Sequence, residues 1–431
     1  MSASSTVTPV RGRRVALAAM VAASIEWYDF FIYATAAALV FGKAFFPGVS
    51  PVSATLASFA TFGVGFAARP LGGIVFGHFG DKLGRKPMLV VSLLLMAVST
   101  TLIGLLPTYA SIGVFAPFAL VLLRICQGLA IGGQWGGAML LAIESAPPGK
   151  RGLYGSFVQV GVPIGMVLGN TVFLVVAAIV SPAQFDAWGW RIPFLLSSVT
   201  ALIAFYIHRR VDDTPEYLAA ESPGRRRSPV IEVVRRHPTA VLFASSVYIV
   251  LSAAFYILAA GLLDYGTRTL GIPKSSMLLA VLVSVSSMVL TLPLFAALSD
   301  RVGRKPVFAV GAVATGISVF AVFPLVETLN VGLAILGLVI TMTTIAMMYG
   351  PQAALFAEMF PAHLRYSGAS LGYQIANVIG GGFAPFVMVL LLESTGSSLS
   401  VAVYIAVLAV IALVALAFIS DRHEVDAEVS R

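Results

Sequence analysis

The stretch Gly77-His-Phe-Gly-Asp81-Lys-Leu-Gly-Arg85-Lys86-Pro87 returns, shortened, as Leu298-Ser-Asp300-Arg-Val-Gly-Arg304-Lys305-Pro306. Each copy fills a short charged gap between two long apolar runs. One acid–glycine–base turn used twice in a single chain predicts two copies of one helical bundle. The order of other residues supports a repeat. Glu144 precedes Arg151 by seven positions, as Glu358 precedes Arg365, and the helices that follow carry Gln159 and Gln374.

Composition fixes the medium. The 431 residues are 58% hydrophobic and 11% charged, with a mean hydropathy of +0.95. Globular domains carry about 25% charged residues, so a soluble domain is excluded. Runs such as 307–324 and 401–419 approach or reach the ~20 residues that cross hydrocarbon as a helix. They are continuous rather than alternating, which excludes a barrel. Twelve spans are predicted, at about 15–41, 52–77, 87–107, 112–142, 152–180, 190–208, 239–264, 275–297, 306–325, 330–350, 366–392 and 399–419. The interruption at 209–238, rich in Arg, Pro and acidic residues, separates six spans from six. The fold expected is an all-α membrane protein of twelve transmembrane helices in two pseudo-symmetric six-helix bundles, 1–208 and 239–431, joined by the linker 209–238.

Charge placement gives the orientation. The N-terminus, the links after even-numbered spans and the C-terminus hold nearly all cations, among them Arg11, Arg13, Arg14, Lys150 and Arg225 to Arg227. The opposite links hold Lys43, Arg191, Arg268 and Lys274. By the positive-inside rule both termini are cytoplasmic. The net charge of +8 is therefore a topology signal and implies no nucleic acid. Arg11-Gly-Arg-Arg14 and its apolar run imitate an export signal, but the run continues to Phe41 and reads as an uncleaved first helix. The single Cys126 forms no internal disulfide. Scattered histidines and the lack of a Walker motif predict no metal, no other cofactor and no ATP.

Four charged residues fall deep within spans: Glu26, Asp29, Arg69 and Arg124. Each costs about 2.5–3.5 kcal/mol at a helix centre on insertion scales, so it must pair or face water. Depths counted at ~1.5 Å per residue match Asp29 with Arg124 near the midplane and Glu26 with Arg69 nearer the cytoplasm. Two ion pairs are predicted. They are either fixed clamps or a working site in which Arg124 and Arg69 receive a carboxylate while Asp29, with Glu26, carries a proton. An anion that loosens Arg124 from Asp29 would favour protonation, and protonation would free Arg124, because linkage is reciprocal. Tyr28, Tyr33, Gln127, Gln159, Tyr248, Tyr256, Tyr349, Tyr373, Gln374 and Asn377 are candidates to line the same cavity, or to serve as interhelical hydrogen bonds. Asp81, Arg85 and Lys86, and their counterparts Asp300 and Arg304, are candidate gates on the cytoplasmic side. There the acid caps a neighbouring helix or pairs across bundles when that side is shut. Glu144, Arg151, Glu358 and Arg365 would complete the latch. Gly161, Gly165 and Gly169 form a smooth strip, with Gly132, Gly133, Gly136 and Gly137 as its expected partner.

These residues resemble a major facilitator carrier, and within that superfamily the metabolite:H+ symporter family. The resemblance spans nearly the whole chain. It rests on Glu26-Trp27-Tyr28-Asp29-Phe30, Arg69-Pro70-Leu71-Gly72-Gly73, Arg124 with Gln127-Gly128, and Trp135-Gly136-Gly137-Ala138. Trp190-Arg191-Ile192-Pro193-Phe194 and Thr214-Pro215-Glu216 complete it. Stretches 38–41, 59–86 and 367–385 look most similar to the bacterial shikimate carrier branch, which implies a polar cyclic carboxylate as substrate. In the related sugar-porter pattern a first-helix Asp and a fourth-helix Arg serve proton coupling; the matching positions are Asp29 and Arg124. Gln134 stands where the family has Glu, which removes one carboxylate, and Asp213 replaces a Glu.

The expectation is a monomeric carrier in the bacterial cytoplasmic (inner) membrane that takes up a small organic anion with protons by alternating access. Its partners are that anion, protons and the lipid bilayer. The alternative is a uniporter or a proline/betaine-type zwitterion carrier with structural ion pairs. No convergent Ser/His, metal or two-acid set suggests an enzyme.

Overall fold

A computed structural model describes residues 9–83, 85–132, 135–199, 229–361 and 364–419. The apolar runs are helices, and no strand occurs among the described residues. In the N-terminal half these are α1 (Pro9–Ala36), α2 (Pro51–Leu83), α3 (Arg85–Leu105), α4 (Phe115–Ile131), α5 (Trp135–Glu144), α6 (Arg151–Ile179) and the short α7 (Ile192–Leu196). The C-terminal half has α8 (Pro229–Arg236), α9 (Pro238–Tyr256), α10 (Lys274–Val302), α11 (Arg304–Glu327) and α12 (Val331–Met359). It ends with α13 (Arg365–Ala376), α14 (Ala384–Thr395) and α15 (Leu399–Ala417). Ten helical stretches among the described residues are long and apolar enough to cross a membrane, and Val90–Leu105 is a shorter apolar helix. The expected sixth span begins in α7 and runs out of the described residues at position 200.

The repeat is visible in backbone detail. The helix of α1 continues through a π-helical turn at Ala37–Phe41, and α9 continues through one at Ile257–Gly261. Single-turn π segments cluster at functional places in helices, and here they fall at equivalent points of the two halves. A second such turn, Tyr265–Thr269, carries the seventh span past the predicted end at 264. Asp264 and Arg268 are therefore a further acid–base pair inside a span, 3.2 Å apart, with Asp264 buried.

Between the halves, α6 packs on α10 and α12, and α2 packs on the π-helical turn Asn377–Gly382 and on α14. The repeat matches α6 with the helix that begins as α13, and α2 with α10. It therefore exchanges one interface for the other, as a pseudo-two-fold arrangement requires.

Glycine decides which helices come close, and the expected partners need correction. Cβ atoms added at Gly161 and Gly165 would sit 2.5–3.0 Å from Ala23, Met20, Ser24 and Trp27, so this strip receives α1, not the fourth span. Gly132 instead lies against the Arg69 backbone, where any Cβ would overlap the carbonyl oxygen, and Gly128 does the same against Gly65. Backbone-to-backbone approach of α2 and α4 is what brings Arg69 and Arg124 into one place.

Candidate functional site

Arg69 and Arg124 are fully buried at the centre of the molecule. Phe30 ties them together: its ring centroid is 4.3 Å from the Arg69 guanidinium carbon and 4.4 Å from that of Arg124. Arg69 also lies 4.1 Å from the Phe66 ring and Arg124 4.1 Å from the Tyr33 ring. Desolvated guanidinium–aromatic contacts of this kind are worth up to about 2 kcal/mol each. They do not use the N–H groups. Arg124 donates Nη1 to Gln127 Oε1 at 3.0 Å, and Gln127 in turn donates to Thr100 at 2.8 Å. The Nε and Nη2 of Arg124, and all three nitrogens of Arg69, make no well-formed hydrogen bond, the Tyr256 hydroxyl being the polar group beside Arg69. Two planar forks of donors thus converge beside an aromatic box of Phe30, Phe62, Phe66 and Tyr256, whose ring centroids are 5.1–6.4 Å apart.

The predicted ion pairs do not form. Asp29 makes no well-formed hydrogen bond; the Ser197 hydroxyl, itself without another partner, is the group beside it, and Arg69 makes no hydrogen bond to Glu26, although the two feel each other's charge. Depth along a helix places residues at the same level without saying which way they face. Phe30, not Asp29, meets the arginines, and successive residues of a 3.6-residue helix point about 100° apart. Asp29 is completely buried. Its neighbour Tyr28 donates to the Pro193 carbonyl at 2.8 Å, so Tyr28 is turned toward α7 rather than the arginines.

The other predicted polar residues divide into two groups. Tyr33, Gln127 and Tyr256 touch the arginine site directly or through the rings just described. Tyr373 stacks on Trp135 across the halves at 3.9 Å and 4°, with Tyr248 4.9 Å behind it and Tyr349 packed on Tyr248. Trp135 donates to Gln159 at 3.1 Å, and Gln159 donates across the halves to Gln352. Gln374 donates to the Gly132 carbonyl at 3.3 Å, and Asn377 to the Tyr373 carbonyl at 2.9 Å. Trp135–Tyr373, Gln159–Gln352 and Gln374–Gly132 cross between the halves, while Tyr248 and Asn377 brace Tyr373 from its own half.

At the basic end of the molecule, rich in Lys and Arg, Asp300 accepts hydrogen bonds from the backbone N–H groups of Gly152 and Leu153, at 2.8 and 2.9 Å. A residue of the C-terminal half therefore caps the first turn of α6 in the N-terminal half. Arg304 holds Asp300 at 2.6 Å and Glu358 at 3.4 Å. Glu144 and Arg151 are exposed and outside this cluster. Arg365 has a buried Nε with no hydrogen-bond partner. The side chains of Asp81, Arg85 and Lys86, and residues Gln134 and Asp213, lie outside the described residues.

At the opposite end sits a contact the sequence did not announce. Asp186 takes Lys274 of the other half at 2.6 Å and Lys43 at 3.3 Å. Lys43 and Lys274 were visible as the few cations on that side, but a lone acid on an exposed link carries no distinguishing pattern. Phe30, Phe62 and Phe66 were missed for a similar reason, because aromatics in apolar spans read as filler.

Residues 15–238 match the family described as sugar (and other) transporter, and residues 245–430 that described as Major Facilitator Superfamily. The chain is 43% identical to the shikimate transporter of Escherichia coli K12, over 93% of this chain and 92% of that protein. It is 39% identical to the inner membrane metabolite transport protein YhjE of the same organism, over 97% and 96%. The solved structure of the xylose transporter XylE from E. coli, partially occluded and inward open, superposes with a TM-score of 0.72 at 18% identity, covering 94% and 96%. Two halves, the repeated turn and these likenesses agree: the chain belongs to the major facilitator superfamily of transporters.

Proposed function

We propose that this transporter takes up a small cyclic carboxylate of the shikimate class together with protons, across a bacterial inner membrane. The observation that carries the reading is the pair of buried arginines with unfilled donors. A guanidinium kept from water is costly unless its charge and N–H groups find partners, and a carboxylate answers both in a bidentate geometry. The aromatic box beside the forks offers flat apolar surface to a ring. Identity of 43% to a shikimate transporter over nearly the full length favours the same substrate class. Asp29 is the proton carrier in this reading. It is fully buried, and Glu26, one turn away on the same helix, feels the charges of both Asp29 and Arg69, so a proton gained or lost at Asp29 reaches the arginine site through Glu26 and couples the two reciprocally. The alternative of a uniporter with fixed ion pairs is disfavoured, since those pairs are absent among the described residues.

The halves are assigned to 1–208 and 239–431 with a linker at 209–238, and the basic end, with both termini, to the cytoplasm. Asp300, Arg304 and Glu358 then form the inner gate, and Gln159, Trp135 and Tyr373 a second closure above it. The test is uptake of labelled shikimate into vesicles of purified protein under an imposed pH gradient. Asp29→Asn abolishes accumulation against the gradient while leaving exchange in part. Undiminished uphill uptake by that variant would remove Asp29 from the coupling role.

A further inference from the structure

On the lipid-facing flank of the C-terminal half, a groove of about 370 Å³ opens between α9 and the helix of α13, with Ile411 of α15 at its edge. Val241, Leu242 and Ile249 form one wall, and Leu371, Ile375 and Ile379 the other. The Ser245 hydroxyl is spent on the Val241 and Gly372 carbonyls, so it offers no free group to the groove. Nothing in the walls named here fits a polar ligand. Hydrocarbon does.

The end of the groove is different. Val234 of α8 and Pro238 of α9 both line it, so the backbone of Arg235, Arg236 and His237 passes its end, although none of the three lines the groove itself. Val233 is fully buried and anchors α8 against the bundle. Arg235 and Arg236 are exposed, and Arg236 shares its charge with Glu232 at 3.1 Å. A surplus positive charge therefore lies on the segment that borders one end of an apolar slot.

We propose that this groove seats an acyl chain of an anionic phospholipid, whose phosphate rests on Arg235 and Arg236. The apolar slot and the basic segment at its end match the two ends of that molecule, and neither feature belongs to the arginine site. A basic residue close to a lipid surface favours anionic over zwitterionic lipid by about fivefold. The groove walls come from the two helices that carry the π-helical turns Ile257–Gly261 and Asn377–Gly382, so its occupant touches both.

The experiment is native mass spectrometry of the full-length protein after exchange into mixtures of phosphatidylglycerol and phosphatidylcholine, with thermal unfolding in each lipid. The wild type retains phosphatidylglycerol at least about fivefold over phosphatidylcholine, and its Tm rises with phosphatidylglycerol. The double variant Arg235→Ser/Arg236→Ser retains both lipids equally. Ser246→Phe, which fills the groove, retains fewer of either, while its Tm in detergent shows that it is folded. An unchanged lipid preference in the double variant overturns the proposal. So does undiminished retention by Ser246→Phe, or a dimer that forms with no lipid held.

Discussion

The two ends of the interface between the halves are closed by different chemistry. At the basic end the acid of a charged turn reaches across to backbone N–H groups, and Arg304 locks it from behind. The side chains are largely withdrawn from water, Asp300 6% and Arg304 11% exposed. At the opposite end Asp186 bridges two lysines, but it is 36% exposed and Lys43 78%. A capped helix end with a buried ion pair is strong and geometrically specific. An exposed ion pair contributes about 0–1 kcal/mol and is screened by salt. The molecule is thus built with one firm closure and one soft one, so release of the soft end should be the easier half of the cycle.

The largest expected effect comes from breaking the firm end. Asp300→Ala uncaps α6 and leaves Arg304 with Glu358 and the Ser299 hydroxyl. Of the contacts Asp300 makes with described residues, only the hydrogen bonds from Gly152 and Leu153 cross between the halves, and a hydrogen bond to a charged group is worth about 1.5–3 kcal/mol. Spin labels at Lys150→Cys and Arg301→Cys, in a Cys126→Ser background, will report a population open at the basic end raised on the order of tenfold or more. No change in their distance distribution would mean that the cap does not hold this end.

Breaking the soft end does less. Asp186→Asn is expected to raise the population open at the opposite end by at most about fivefold, read by labels at Val49→Cys and Thr269→Cys. The difference from wild type should vanish at ~1 M salt, where the screening length is ~3 Å. A salt-independent effect would contradict the exposed-pair account.

Acidity sharpens the contrast least. Partial burial pushes the Asp186 carboxyl up, but the hydrogen bond and charge of Lys274, with the charge of Lys43, outweigh it and hold the group below the usual range. A depressed value means that the bridge is intact above the ordinary carboxylate range near about 4 and is lost as pH falls through the lowered value. The Val49–Thr269 distance should therefore be flat from pH 8 to about 5 and lengthen only in stronger acid. Opening already at about pH 6 would show that another group controls this end.

The architecture was legible because hydropathy over some 20 residues, cation placement and the repeated turn are one-dimensional signals. Asp300 could be singled out because its acid–glycine–base order recurs in both halves. The ion pairs were misread because depth was used without azimuth, and Phe30 occupies the direction assigned to Asp29. The glycine strip of α6 announced a close neighbour without naming it, since smoothness is the same toward any helix. Asp264 escaped because a π-helical turn, invisible in composition, carried the span past its apparent end.

The account rests on Arg69 and Arg124 receiving the carboxylate of the transported anion. Calorimetric titration of shikimate into the purified protein, and into Arg69→Gln and Arg124→Gln variants of unchanged Tm, tests it most directly. Losing a charged hydrogen-bonding partner costs about 1.5–3 kcal/mol, so each variant should bind at least about tenfold more weakly, while Tyr28→Phe keeps the wild-type affinity. Equal affinity in wild type and both arginine variants would contradict the claim.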